Sequence, residues 1–198
     1  MSSATRFISA ATALALCISL QQAAPAADEQ QGKDAPSYTA DGRLELPADY
    51  RDWVYLSSGL DMSYREPETG HSMFSNVFVN RRSYEAFLKT GTWPDRTVLF
   101  MEVRSASSKG SINTSGQFQA GQPMGAEAHV KDTKRFPGGW AFFAYSSLAP
   151  AVQIPTTAEC YSCHEQHAAV DTTFVQFYPT LLPVAQAHKT IKPGNDLQ

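Results

Sequence analysis

Five consecutive residues near the C-terminus, Cys160-Tyr161-Ser162-Cys163-His164, constrain this 198-residue chain more than any other feature. Two thiols with two residues between them match the spacing of the vinyl groups on adjacent pyrroles of a haem, and an imidazole directly after the second thiol reaches the iron. Two other chemistries use a Cys-x-x-Cys pair. A thioredoxin-type redox dithiol belongs in a βαβ setting and leaves His164 unexplained, while half a zinc site needs a second pair of ligands. The chain offers only one further cysteine, Cys17. The motif therefore reads as the attachment site of one covalent haem c, with Cys160 and Cys163 as the thioether positions and His164 as the proximal iron ligand.

A covalent haem of this kind is attached outside the cytoplasm, and the N-terminus agrees. Arg6 is followed by an uncharged, mostly apolar stretch over residues 7–20 and then by Ala24-Pro25-Ala26, the pattern of a secretory signal cleaved after Ala26. The stretch is shorter than the roughly 20 residues a membrane-spanning helix needs. Cys17 leaves with residues 1–26; the alternative, that it accepts a lipid, is disfavoured by Leu16, where small residues are usual. The expected location is periplasmic or secreted. Cleavage removes Arg6 and no acid, so 16 basic residues become 15 against 19 acidic ones, a net charge of −4. Neither a basic stripe for phosphates nor a second apolar span is present, which argues against nucleic acid binding and against membrane insertion after cleavage.

With 42% hydrophobic residues the mature chain can bury one ordinary core. Residues 27–41 mix Gln, Asp, Gly, Pro and Ser and read as a flexible leader. A single haem domain is expected over residues 42–186, followed by a frayed tail over 187–198. Strand-like runs fall at residues 52–56, 74–79, 97–103, 126–130 and 140–145, which predicts a mainly β (α+β) fold with an antiparallel sheet of about five strands and a few helices. Asn80 is placed to cap a helix carrying Tyr84, Phe87 and Leu88 on one face and stopped by Gly91. Residues 105–122, rich in Ser, Gly and Gln, read as a long loop or ragged hairpin with a strand near Phe118. Thr156 and Glu159 form a capping box, so the haem motif opens a C-terminal helix. A further helix, capped by Asp171 and carrying Phe174, Phe177, Tyr178, Leu181 and Leu182, is kinked or ended by Pro179.

What such a protein does depends on the face of the iron opposite His164. Met62, Met73, Met101, Met124, His71, His129 and His188 are candidate sixth ligands, and a saturated iron makes an electron carrier. His167 shares a helical face with His164 and is read as touching a haem edge, a propionate or solvent.

From Leu44 to about Ala185 the chain resembles the cytochrome P-460 family, which includes the cytochromes c′-beta. The likeness rests on Val77-Phe78-Val79-Asn80, Trp93-Pro94-Asp95, Glu102-Val103-Arg104, His129-Val130-Lys131-Asp132, Arg135-Phe136-Pro137-Gly138-Gly139-Trp140, the Cys160 to His164 motif, and Asp171-Thr172-Thr173-Phe174-Val175-Gln176-Phe177-Tyr178-Pro179. The resemblance implies an antiparallel β fold, a homodimer, a periplasmic redox partner and a five-coordinate haem open to small nitrogenous ligands. P-460 members oxidise hydroxylamine and carry a lysine linked to the haem ring; c′-beta members bind nitric oxide behind an aromatic cap. Met101 falls where that lysine is expected, leaving Lys89, Lys109, Lys131 and Lys134 as remaining candidates. Hydroxylamine oxidation also needs a base, for which Glu127 is the first candidate and Glu102 the second. Phe78, Phe100, Trp140, Phe142 and Phe143 are candidates for an aromatic cap.

Overall fold

Side chains alternate across a strand, so two apolar sets on one strand mean two buried faces. That holds here: Val98 and Phe100 enter one core and Leu99 the other. Ala141, Phe143 and Tyr145 likewise oppose Trp140. The computed structural model describes residues 34–63, 72–146 and 149–195. Its six strands, β1 (Val54–Leu60), β2 (Met73–Val79), β3 (Val98–Ser107), β4 (Phe118–Lys131), β5 (Trp140–Tyr145) and β6 (Val152–Gln153), form one antiparallel sheet in sequence order. The five expected strands are present, and β6 is a short sixth on the edge.

Residues 105–122 take the hairpin form of the two expected, with a strand at Phe118: β3 and β4 continue past a bulge between Val103 and Ser105, and residues 108–117 between them are irregular. The two strands form a hairpin arm in which Ser105 faces Ala120 and Ser107 faces Phe118. A second bulge, between Tyr55 and Ser57 in β1, sets up the functional site. It inserts one residue, so Leu56 stays in the core beneath the helices while Ser57 and Gly59 come to the same face as Val77.

One face of the sheet is covered by residues 34–53. Leu44 is almost fully buried there and pairs with both Tyr38 and Ala151. The packed stretch thus begins before Gly42, within the segment read as a leader; residues 1–33, including the whole expected signal, lie outside the described residues. The other face carries α1 (Arg81–Thr90), α2 (Glu159–His167) and α3 (Leu182–His188). Phe87 of α1 is fully buried against Trp93, ring centroids 4.3 Å apart. Gly91 ends α1 in the left-handed region, as expected.

Asn80 does not cap α1 with its side chain. It accepts the Val98 N–H at 2.9 Å and donates to the Asp34 and Arg96 carbonyls, fastening the helix start to β3. The Asp34 carboxylate accepts the Arg82 N–H instead, a negative charge at the helix N-terminus. Ala158, not Thr156, stands at the N-cap of α2, so the expected capping box is not formed. The helix expected from Asp171 is not formed: Asp171 lies in a tight turn, only a 3₁₀ turn (Val175–Phe177) precedes Pro179, and α3 begins at Leu182. Over residues 189–195 the chain is pinned, not frayed, since Thr190 Oγ1 donates to Gly91 O at 2.7 Å and Lys192 N donates to Ala169 O at 2.8 Å; residues 196–198 lie outside the described residues. Among the described residues no helix is long and apolar enough to cross a membrane.

Candidate functional site

Strand register brings the site together. Ser57 pairs with Val77, Val77 with Met101 and Met101 with Glu127, making one transverse row across β1 to β4 on the helical face of the sheet. The next row contains Gly59 and Ser75. These small and flexible side chains leave a cavity of about 210 Å³ above the strands. His164 of α2 and Phe174, Phe177 and Tyr178 of the segment that follows face them across the cavity, whose walls Met62, His129 and Phe142 also help to form.

The motif residues suit a haem. Cys160 and Cys163 are free thiols one helical turn apart, both partly exposed. Burial pushes the Cys160 thiol up, backbone N–H groups pull it down, and the nearby Glu127 adds to the rise. His164 Nδ1 lies 2.8 Å from the Thr172 carbonyl. A carbonyl only accepts, so Nδ1 carries the proton and Nε2 keeps its lone pair for a metal. Burial lowers the affinity of His164 for a second proton, and the Thr172 bond partly offsets this. Its ring is wedged between Phe142 at 4.6 Å and Phe174 at 4.4 Å. Tyr161, inside the motif, anchors α2 to the sheet: its hydroxyl accepts the Phe142 N–H at 3.2 Å and donates to Ile154 O at 3.1 Å. Two thiols and one imidazole would hold the haem, which supplies an iron with a coordination site and one-electron chemistry. Among the described residues no three His, Cys, Asp or Glu side chains gather into a site for a bare metal ion.

The candidate bases separate. Glu127 lines the cavity while keeping exposure to solvent, and partial desolvation at the wall raises the pKa of its carboxyl from the ordinary value. Glu102 is a correction: it lies on the opposite face, because neighbouring residues of a strand point apart and Met101 takes the cavity side. There it is 2% exposed and bound by Tyr50 Oη, by Arg51 at 2.6 Å and by Arg104. Burial alone raises its pKa, but the bonds from Arg104 and Tyr50 and the two guanidinium charges bring it below the ordinary range. Burial and the Glu102 bond push the Tyr50 hydroxyl up to about 12.

Glu102 is thus a structural carboxylate. Glu102→Gln should lower the unfolding free energy at pH 7 by about 2 kcal/mol through loss of charge-assisted hydrogen bonds. A carboxyl whose folded pKa is depressed stabilises above its unfolded pKa and loses that contribution as pH falls through the folded value. The gap between the parent and Glu102→Gln in urea titrations should therefore close in acid; a pH-independent gap would contradict this role.

The iron-ligand candidates sort as cleanly. Met62 and Met101 line the cavity. His129 also reaches it but packs on the His164 side, with ring centroids 5.2 Å apart, and its Nε2 lies 3.2 Å from Thr172 Oγ1. Met73, Met124 and His188 are not on its walls, and His71 lies outside the described residues. His167 is exposed at the end of α2. No described lysine lines the cavity; Lys131 instead contacts Asp171 at 2.9 Å and Trp93 O at 2.8 Å. Of the aromatic candidates, Phe78, Phe100 and Phe143 belong to the opposite face, Trp140 packs against His129 at 4.4 Å, and Phe142 flanks His164. The wall contributed by β1, β2 and β3 carries no aromatic cap.

Sequence reading did not single out Ser57, Ser75 or Thr172 as site residues. Only the β1 bulge brings Ser57 in, and no local pattern announces a bulge.

The family model described as Cytochrome P460 matches residues 47–175, a span that takes in all six strands, α1 and the Cys160 to His164 helix. No curated protein matches the chain. A match over more than half its length, joined to a free-thiol pair on the helix whose tautomer-fixed histidine lines the cavity, places the chain in the Cytochrome P460 family of c-type haem proteins.

Proposed function

We propose that this chain is a periplasmic monohaem protein that carries its haem covalently on Cys160 and Cys163, with His164 as axial ligand, and binds small nitrogen ligands at an open iron face. The observation that carries the reading is that one cavity is lined by both the ligand-competent His164 and the carboxylate Glu127. Nitric oxide needs only space at the metal. Hydroxylamine oxidation also requires proton removal from nitrogen, for which Glu127 is the base, while the electrons pass to an external acceptor. The Ser57 and Ser75 side chains on the same wall suit a ligand that both donates and accepts hydrogen bonds. Export follows from the apolar stretch over residues 7–20, and a homodimer and a periplasmic redox partner follow from the family resemblance.

A second reading has a specific observation behind it: the thioethers of Met62 and Met101 line the same cavity, and either one on the iron would make an electron carrier. Absorption and resonance Raman spectra separate the two. The open-site reading expects a high-spin, five-coordinate ferrous iron that takes up nitric oxide, with spectra unchanged in Met101→Leu and Met62→Leu. A low-spin iron in both oxidation states that becomes high-spin in one of these variants would establish the electron carrier instead.

A further inference from the structure

Between α2 and the 3₁₀ turn the chain makes a four-residue reversal at residues 170–173, closed by Val170 N to Thr173 O and Thr173 N to Val170 O hydrogen bonds of 3.3 and 2.8 Å. Asp171 sits in the left-handed region at φ 51, where a residue without glycine's freedom persists only if its surroundings hold it. Three successive side chains supply that hold. The Asp171 carboxylate accepts from Lys131 Nζ at 2.9 Å, Thr172 Oγ1 lies 3.2 Å from His129 Nε2, and Thr173 Oγ1 accepts from Trp93 Nε1 at 2.8 Å. Lys131 and His129 are two residues apart on β4, and Lys131 is itself fixed on the Trp93 carbonyl. His129 is immobilised by stacking on Phe142, with centroids 3.9 Å apart and ring planes 13° apart. The group that this clamp presents is the Thr172 carbonyl, the acceptor of His164 Nδ1–H.

We propose that the turn at residues 170–173 is a clamp that sets the donor strength of the axial histidine, with Thr172 and Asp171 as positioning residues that act through that carbonyl. The inference rests on the haem reading with His164 as ligand. The acceptor on the far nitrogen of a ligating imidazole tunes how strongly the near nitrogen donates to its metal. A carbonyl pinned from β4 holds this bond short and aligned; a loosened turn lets it lengthen, and the imidazole donates less.

The test uses the haem-loaded full chain. Thr172→Val removes the tie to His129 and keeps the carbonyl. Asp171→Asn removes the Lys131 charge partner while suiting the left-handed backbone, since asparagine tolerates that region. In both, the ferrous iron–histidine stretching band should move to lower frequency and the midpoint potential should become more positive, with haem content unchanged. Thr172→Ser, which keeps the hydroxyl, should restore both parent values. An unmoved band and potential in Thr172→Val and Asp171→Asn, with haem content equal to the parent, would overturn the clamp. A parent protein whose ferrous iron is low-spin and six-coordinate, and so shows no iron–histidine band, would instead sink the open-site reading; the clamp would then stand or fall on the midpoint potential of Thr172→Val and Asp171→Asn alone.

Discussion

Exported through a c-type maturation system, the chain should be heavier than its apo polypeptide by one haem under denaturing conditions, and the double variant Cys160→Ala, Cys163→Ala should return to apo mass. The effect is complete because Cys160 and Cys163 are the only cysteines outside residues 1–26 and both are free thiols. Each single variant should retain one thioether and a weakened attachment. His164→Ala should keep the covalent mass but change the spectrum, since the imidazole and not the thiols addresses the iron. Proteolysis should release haem on one peptide containing Cys160 to His164. A second, lysine-bearing haem peptide would contradict the cavity, whose walls include no described lysine, and the expectation that Met101 stands where the family's linked lysine would be. An apo mass in the parent would end the covalent reading.

Alternation and spacing made part of this molecule legible before any coordinates. The five main strands, the stop of α1 at Gly91 and the break at Pro179 all follow from local chemistry: side-chain period, a left-handed glycine and a missing amide proton. The opposition of Met101 and Glu102 is the same rule applied to neighbours, and it decides which carboxylate faces the cavity once one face is known. Other features depend on contacts between distant segments. Asn80 looks like a helix cap in isolation, yet its amide is taken by Val98, 18 residues away, and by Asp34, 46 residues away. The capping box at Thr156 and Glu159 failed for a related reason, since α2 is positioned by Tyr161 on β5 and not by its first turn. The bulge between Tyr55 and Ser57 shifts one strand by a residue, and with it which hydroxyls meet the cavity. Thr172 is polar, partly buried and without periodicity; only the meeting of α2 with β4 gives both its carbonyl and its hydroxyl a task.

Glu127 carries the second large expectation. With hydroxylamine and an added oxidant, Glu127→Ala should turn over about 10²- to 10⁴-fold more slowly than the parent, the usual span for loss of a positioned general base. Haem content and nitric oxide affinity should stay near parent values, because binding nitric oxide moves no proton and Glu127 supplies no ligand to the haem. The pH dependence provides a sharper check. Desolvation at the cavity wall raises the Glu127 pKa, and a base works only when ionised, so parent turnover should climb with pH through a midpoint displaced upward from the ordinary carboxylate value. Glu127→Gln should be slow and flat over the same interval. Glu102→Gln should keep the parent profile wherever it remains folded, since its side chain faces away from the cavity and is held by Arg51, Arg104 and Tyr50. Equal turnover in Glu127→Ala and the parent would remove this carboxylate from the chemistry. The cavity would then fit the nitric oxide-binding reading better, because among the acids described Glu127 alone stands on its wall.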